Sequence, residues 1–145
     1  MTRDEAWALL VATSRHWIDD PDSSVVWADE HEDRWGVRMG QEARDFTTVW
    51  FDVGERTVGI EALLVPPPVH DAEAVYRYCL ARNRTSWPVF LALDRQGSLV
   101  VAGRIALPGL DAAVLDGVLG AVYELVETDF PVALRIGFIG REKTS

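Results

Sequence analysis

The sequence predicts an α+β fold, an antiparallel sheet packed with helices in the order α-β-β-β-α-β-β-α. Apolar residues alternate along two hairpins, residues 46–65 and 89–105, which is the period of strands with one buried face. Each hairpin is followed by a stretch whose apolar residues recur at three and four, the period of a helix with one buried stripe. A similar stretch opens the chain. With 145 residues, 48% of them apolar, the chain suits one core, so a single domain over residues 1–145 is expected.

Residues 2–18 read as the first helix, because Trp7, Leu10, Val11, Ser14, Trp17 and Ile18 fall on one side. Thr2 and Glu5 fit a capping box, in which the hydroxyl accepts from a first-turn amide and the carboxylate reaches back to the cap. Asp19, Asp20, Pro21, Asp22, Ser23 and Ser24 then stop the helix: proline has no amide hydrogen, and Asp and Ser side chains bond to nearby backbone in turns. Residues 25–28 and 34–39 are short strand candidates around the acidic segment Asp29-Glu30-His31-Glu32-Asp33.

In the first hairpin, Val49, Phe51 and Val53 share a face with Val58, Ile60, Ala62 and Leu64 if the chain reverses at Gly54-Glu55. That face is assigned to the core. The opposite face, with Thr48, Trp50, Asp52, Thr57, Glu61 and Leu63, is mixed, as on a sheet side left open or partly covered by a neighbour. Pro66, Pro67 and Pro68 end the strand because prolines offer no ladder donors. Residues 70–84 read as the second helix, with Ala72, Val75, Tyr78 and Cys79 as its stripe and Tyr76 and Leu80 widening it.

After Trp87-Pro88, the second hairpin sets Val89, Leu91 and Leu93 with Leu99, Val101 and Ile105 about the turn Asp94-Arg95-Gln96-Gly97. From residue 110 to about 128, Val114, Leu115, Val118, Leu119, Val122, Leu125 and Val126 describe a third helix, with Pro131 limiting its extension. Gly117 and Gly120 interrupt it without following a strand, so close helix packing explains them better than phosphate binding.

Several function classes are disfavoured. A net charge of −9 opposes nucleic acid as the main partner, since phosphate affinity rests on clustered Lys and Arg. It also opposes anionic lipid, and no apolar run reaches the length of a membrane-spanning helix. The one cysteine, Cys79, cannot close an intramolecular disulfide, and no charged-then-apolar leader precedes the first helix, so the cytoplasm is the expected compartment.

His16, His31 and His70 lack metal-ligand spacing, and the acidic segment lacks the calcium-loop pattern with its central glycine. No nucleophile elbow is present, and Cys79 on an apolar stripe reads as a small buried hydrophobe. Neither a cofactor nor a catalytic residue is therefore assigned. The unusual feature is six tryptophans, at positions 7, 17, 27, 35, 50 and 87, a residue enriched at protein interfaces. Four or more are expected in the core. Trp50 on the mixed hairpin face and Trp87 at the helix-to-strand junction are expected to be partly exposed.

Local motifs carry a family resemblance. Residues 44–51, Arg-Asp-Phe-Thr-Thr-Val-Trp-Phe, with Val53-Gly54-Glu55-Arg56-Thr57, then Pro66-Pro67-Pro68, the helix through Tyr76-Arg77-Tyr78-Cys79-Leu80 to Asn83, and residues 115–120, Leu-Asp-Gly-Val-Leu-Gly, resemble the actinobacterial branch of the YbjN-domain family. The order of elements also resembles type III secretion chaperones. The resemblance covers residues 30–138. It implies a non-enzymatic protein that binds other proteins, often as a homodimer, through exposed apolar surface and sheet edges.

The expected function is accordingly a chaperone-like or regulatory protein-binding module, homodimeric, with Trp50, Tyr76, Leu80 and Trp87 contributing exposed apolar surface to a protein partner. A small-ligand sensor with a pocket between sheet and helices is the alternative. An enzyme using dispersed carboxylates ranks last.

Overall fold

Thr2 and Glu5 form the capping box that their spacing suggests: the Glu5 amide donates to Thr2 Oγ1 at 3.1 Å and the Thr2 amide to Glu5 Oε1 at 2.8 Å. From that cap runs α1 (Arg3–Asp19), in a computed structural model that describes residues 1–139. Four strands follow, β1 (Val25–His31), β2 (Arg34–Gly40), β3 (Phe46–Val53) and β4 (Thr57–Val65). Then come α2 (Ala72–Asn83), β5 (Phe90–Leu93), β6 (Leu99–Ala106), a 3-10 turn at Leu107–Gly109, α3 (Ala112–Leu134) and a π-helical end at Arg135–Ile139.

The six strands make one antiparallel sheet in the order β1-β2-β3-β4-β6-β5, so the α+β class stands. One detail is corrected: four strands, not three, precede α2. Asp29, Glu30 and His31 continue β1, and the chain reverses at Glu32 and Asp33 with φ of 51° and 66°. That left-handed turn carries neither Gly nor Asn, and the last three residues of β1 have no apolar alternation, so nothing in the pattern of that part marks a strand.

One side of the sheet is core. Val37, Val49, Phe51, Ala62 and Val101 are completely buried there against Leu10 and Trp17 of α1, Val75 and Cys79 of α2, and Leu115, Val122 and Val126 of α3. Polar bonds fix the helices to this layer. Trp35 Nε1 donates to Ser14 Oγ at 2.9 Å, and Trp17 Nε1 to Asp116 Oδ1 at 3.0 Å. Glu127 accepts from the Ala43 and Glu42 amides and from Gln41 Nε2. The Ala43 amide first, then the other two donors, hold the Glu127 carboxyl below its ordinary value.

A buried charge joins α2 to α3. Asp129 is completely buried and accepts from the Tyr78 hydroxyl and from Arg82 Nε, the latter at 2.7 Å. Burial, reinforced by Asp129, pushes the Tyr78 hydroxyl up to about 12. The sequence made Pro131 a limit, but α3 continues through it to Leu134. Proline removes one helical donor, while Asp129 before it and the fully buried Ala133 beyond it hold both flanks to the core.

Two further expectations are corrected. A Cβ at Gly117 or Gly120 would meet no atom within 4 Å, so these glycines face open space rather than a tightly packed neighbour. Only three tryptophans belong to the core layer: Trp17 is buried, while Trp7 and Trp35 pack against the core and meet one another edge-to-face at 5.7 Å. Trp27 is exposed because it lies on the other side of the edge strand.

Candidate functional site: the uncovered sheet face

Strand alternation sends every second residue away from the helices. The register aligns Asp29, Gly36, Trp50, Glu61, Ala102 and Phe90 in one row across the sheet. A flanking row holds Trp27, Arg38 and Thr48, with Leu63 and Val100 beyond. The other carries His31, Arg34, Asp52, Gly59 and Arg104. These rows form a face that the helices leave uncovered, with Trp27, Phe46, Leu63 and Phe90 exposed and Trp50 half-buried.

The aromatic rings and arginines on this face are interleaved. Arg34 stacks over Trp50 at 4.5 Å, and Arg38 lies 5.3 Å from the Trp27 ring and 5.8 Å from Phe46. Such contacts orient a guanidinium while leaving its edge free to donate. Arg38 Nε also donates to Thr48 Oγ1 at 3.1 Å. Gly36 makes the tiling possible: a Cβ there would sit 2.8 Å from the Trp50 ring and 3.1 Å from that of Trp27. An open recess of about 460 Å³ beside Trp50 is lined by Arg34, Phe46, Thr48, Glu61 and Leu63.

The four residues singled out from sequence do not form one cluster. Trp50 lies on the uncovered face. Trp87, 81% exposed, meets Phe90 edge-to-face at 6.5 Å and so borders that face at its β5 margin. Leu80 is 71% exposed on α2, whereas Tyr76 is half-buried against the core and offers little free surface. Sequence reasoning missed Trp27, Phe46, Leu63 and Phe90 as a group, together with the arginines. Their parity on the strands was the available signal.

The two margins of the sheet differ as well. At β5, Asn83 Nδ2 donates to the Leu91 carbonyl at 2.8 Å and the Leu91 amide donates to Asn83 Oδ1 at 2.7 Å, so a side-chain amide fills an outward pair of backbone groups. At β1 the register slips between Val25 and Trp27, and Val26 is exposed at the irregularity.

Cys79 is buried, and desolvation, with Asp129 nearby, pushes its thiol up to about 11. The recess of about 590 Å³ between α1 and α3, lined by Trp17, Asp20, Asp22, Asp116 and Glu124, is open at the surface. Among the described residues, no three His, Cys, Asp or Glu side chains are placed to hold a metal ion, and no helix is long and apolar enough to cross a membrane.

These features define a two-layer sheet-and-helix scaffold with an uncovered, aromatic sheet face. The chain belongs to the YbjN family, described as "putative bacterial sensory transduction regulator", whose model matches residues 15–135. An uncharacterised protein of Mycobacterium leprae is 38% identical over 102 residues, covering 70% of this chain and 55% of its own length. Uncharacterised proteins of Mycobacterium bovis and Mycobacterium tuberculosis are 42% identical over 86 residues, 59% of this chain and 47% of theirs. The chain thus spans about half the length of the curated relatives it matches.

Among solved structures, the heterodimeric complex ExoU–SpcU from the type III secretion system of Pseudomonas aeruginosa matches with a TM-score of 0.49 and 19% identity. The match covers 83% of this chain and 94% of that chain. At that distance the likeness carries no functional argument.

Proposed function

We propose that this chain is a non-enzymatic, chaperone-like or regulatory protein-binding module that acts in the cytoplasm as a single-domain homodimer. The observation that carries the reading is large apolar side chains left exposed in two places on a fold whose core is otherwise well buried: the sheet face around Trp50, and the α2–β5 end with Leu80 and Trp87. Trp and other large apolar groups exposed in this way are what a protein partner can bury at modest ordering cost. The family description, a regulator in sensory transduction, is compatible with signalling through contacts rather than turnover.

In this reading the protein partner engages Leu80 and Trp87, with Tyr76 supporting Leu80 one helical turn away, and Trp50 belongs to the sheet-face surface. The test is capture by the tagged chain from extract of its native cell, quantified by mass spectrometry against a Leu80→Asp, Trp87→Asp double variant. Partners retained by the parent chain and lost by the folded double variant support the assignment. Identical capture by both would overturn it.

A further inference from the structure

We propose that a second copy of this chain packs on the uncovered sheet face, so that two sheets meet face to face with the helices outside. The inference rests on the homodimer of the reading above and deepens it by assigning the surface. Sheets stack stably at about 10 Å when both inner faces supply interdigitating side chains, and this face presents Trp27, Phe46, Trp50, Leu63 and Phe90.

Charge selects the occupant. The strand positions pointing to this side carry three arginines, Arg34, Arg38 and Arg104, against three carboxylates, Asp29, Asp52 and Glu61. The face is therefore neutral, although the chain as a whole carries −9, and the excess negative charge lies off it. Two copies of an acidic chain repel through most of their surfaces. Across this neutral face they can approach, with donors and acceptors of both signs available to each, as a two-fold, self-complementary contact requires. A strongly charged partner would find no such face steering it.

Area and order agree with that occupant. Five inter-strand spacings of about 4.8 Å and about seven residues at about 3.3 Å give a face of roughly 600 Å² in projection before side-chain relief. A standard interface takes about 800 Å² from each partner. Arg34 and Arg38 are already oriented on Trp50 and Trp27, and Gly36 keeps those rings low against the sheet, so little side-chain freedom remains to be lost on pairing.

The test is sedimentation velocity on the full chain from low to high micromolar concentration. The parent chain is expected to dimerise, and Leu63→Asp should raise the dimer dissociation constant at least about tenfold by placing an unpaired carboxylate in the contact. Phe46→Asp, at an exposed strand start, should act in the same direction and carries the test if Leu63→Asp fails to melt cooperatively. Gly36→Ala, which displaces the Trp50 ring without adding charge, should weaken pairing, while Leu80→Asp should leave it unchanged. A parent chain monomeric at high micromolar concentration overturns both the homodimer and this inference. A dimer indifferent to Leu63→Asp and Phe46→Asp overturns the face assignment alone.

Discussion

Trp50 and Phe51 are consecutive residues of β3, yet one is half-buried on the uncovered face and the other has no exposed surface at all. On the Phe51 side, apolar side chains are closed in by three helices, and the polar groups buried among them, Ser14 and Asp129, accept hydrogen bonds from residues of other elements. On the Trp50 side, rings and guanidinium groups lie over one another with solvent beyond. The comparison separates two uses of aromatic residues within one strand: Phe51 holds the fold together, and Trp50 is available for contact with something else.

The contrast breaks if the two positions respond alike to truncation. Phe51→Ala should cost about 4 kcal/mol in urea denaturation, because it leaves a large cavity in the closed layer. Arg82→Met comes next, at about 3 kcal/mol, since it strands the buried Asp129 carboxylate without its cation. Gly120→Ala works in the opposite sense. The added methyl meets open space, so thermal unfolding should show a gain of up to about 1 kcal/mol from helix propensity. Trp50→Ala should change stability by less than about 1 kcal/mol, with its effect appearing in self-association instead.

The pH dependence sharpens the assignment of the α2–α3 link. The Tyr78 hydroxyl titrates near 12 in the folded chain against an ordinary 10. Its contribution to stability is therefore whole below pH 10 and is lost between pH 10 and 12, as the unfolded chain releases its proton first. Denaturation profiles of the parent and Tyr78→Phe should therefore lie apart below pH 10 and draw together across that alkaline window. Glu127 acts at the other end: its lowered value means its contribution is present above the ordinary carboxylate range and is lost as pH falls through the folded value.

Much of the fold was legible because burial writes a period into the sequence. The alternation at Val49, Phe51, Val53, Val58, Ile60, Ala62 and Leu64 marked a buried strand face, and the Thr2–Glu5 spacing marked a helix start. The last residues of β1 were not legible, because an edge strand ending in Asp29, Glu30 and His31 has no apolar alternation and its turn uses Glu and Asp where Gly or Asn is usual. The passage of α3 through Pro131 depended on tertiary anchors at Asp129 and Ala133 that no local pattern contains. The sheet face was half legible: Trp50 and Leu63 were visible on the mixed side of one hairpin. Their meeting with Trp27 and Phe90 depended on strand order, which places distant segments side by side.

Asn83 has a consequence for what the sheet can become. A lattice of strands that runs on without limit needs every copy to offer two bare flanks, one for the molecule before and one for the molecule after. Here the amide of Asn83 plugs the backbone of Leu91 on one flank. Joining at the remaining flank terminates after a single step, and the chain can display a broad aromatic surface without becoming the seed of a fibre.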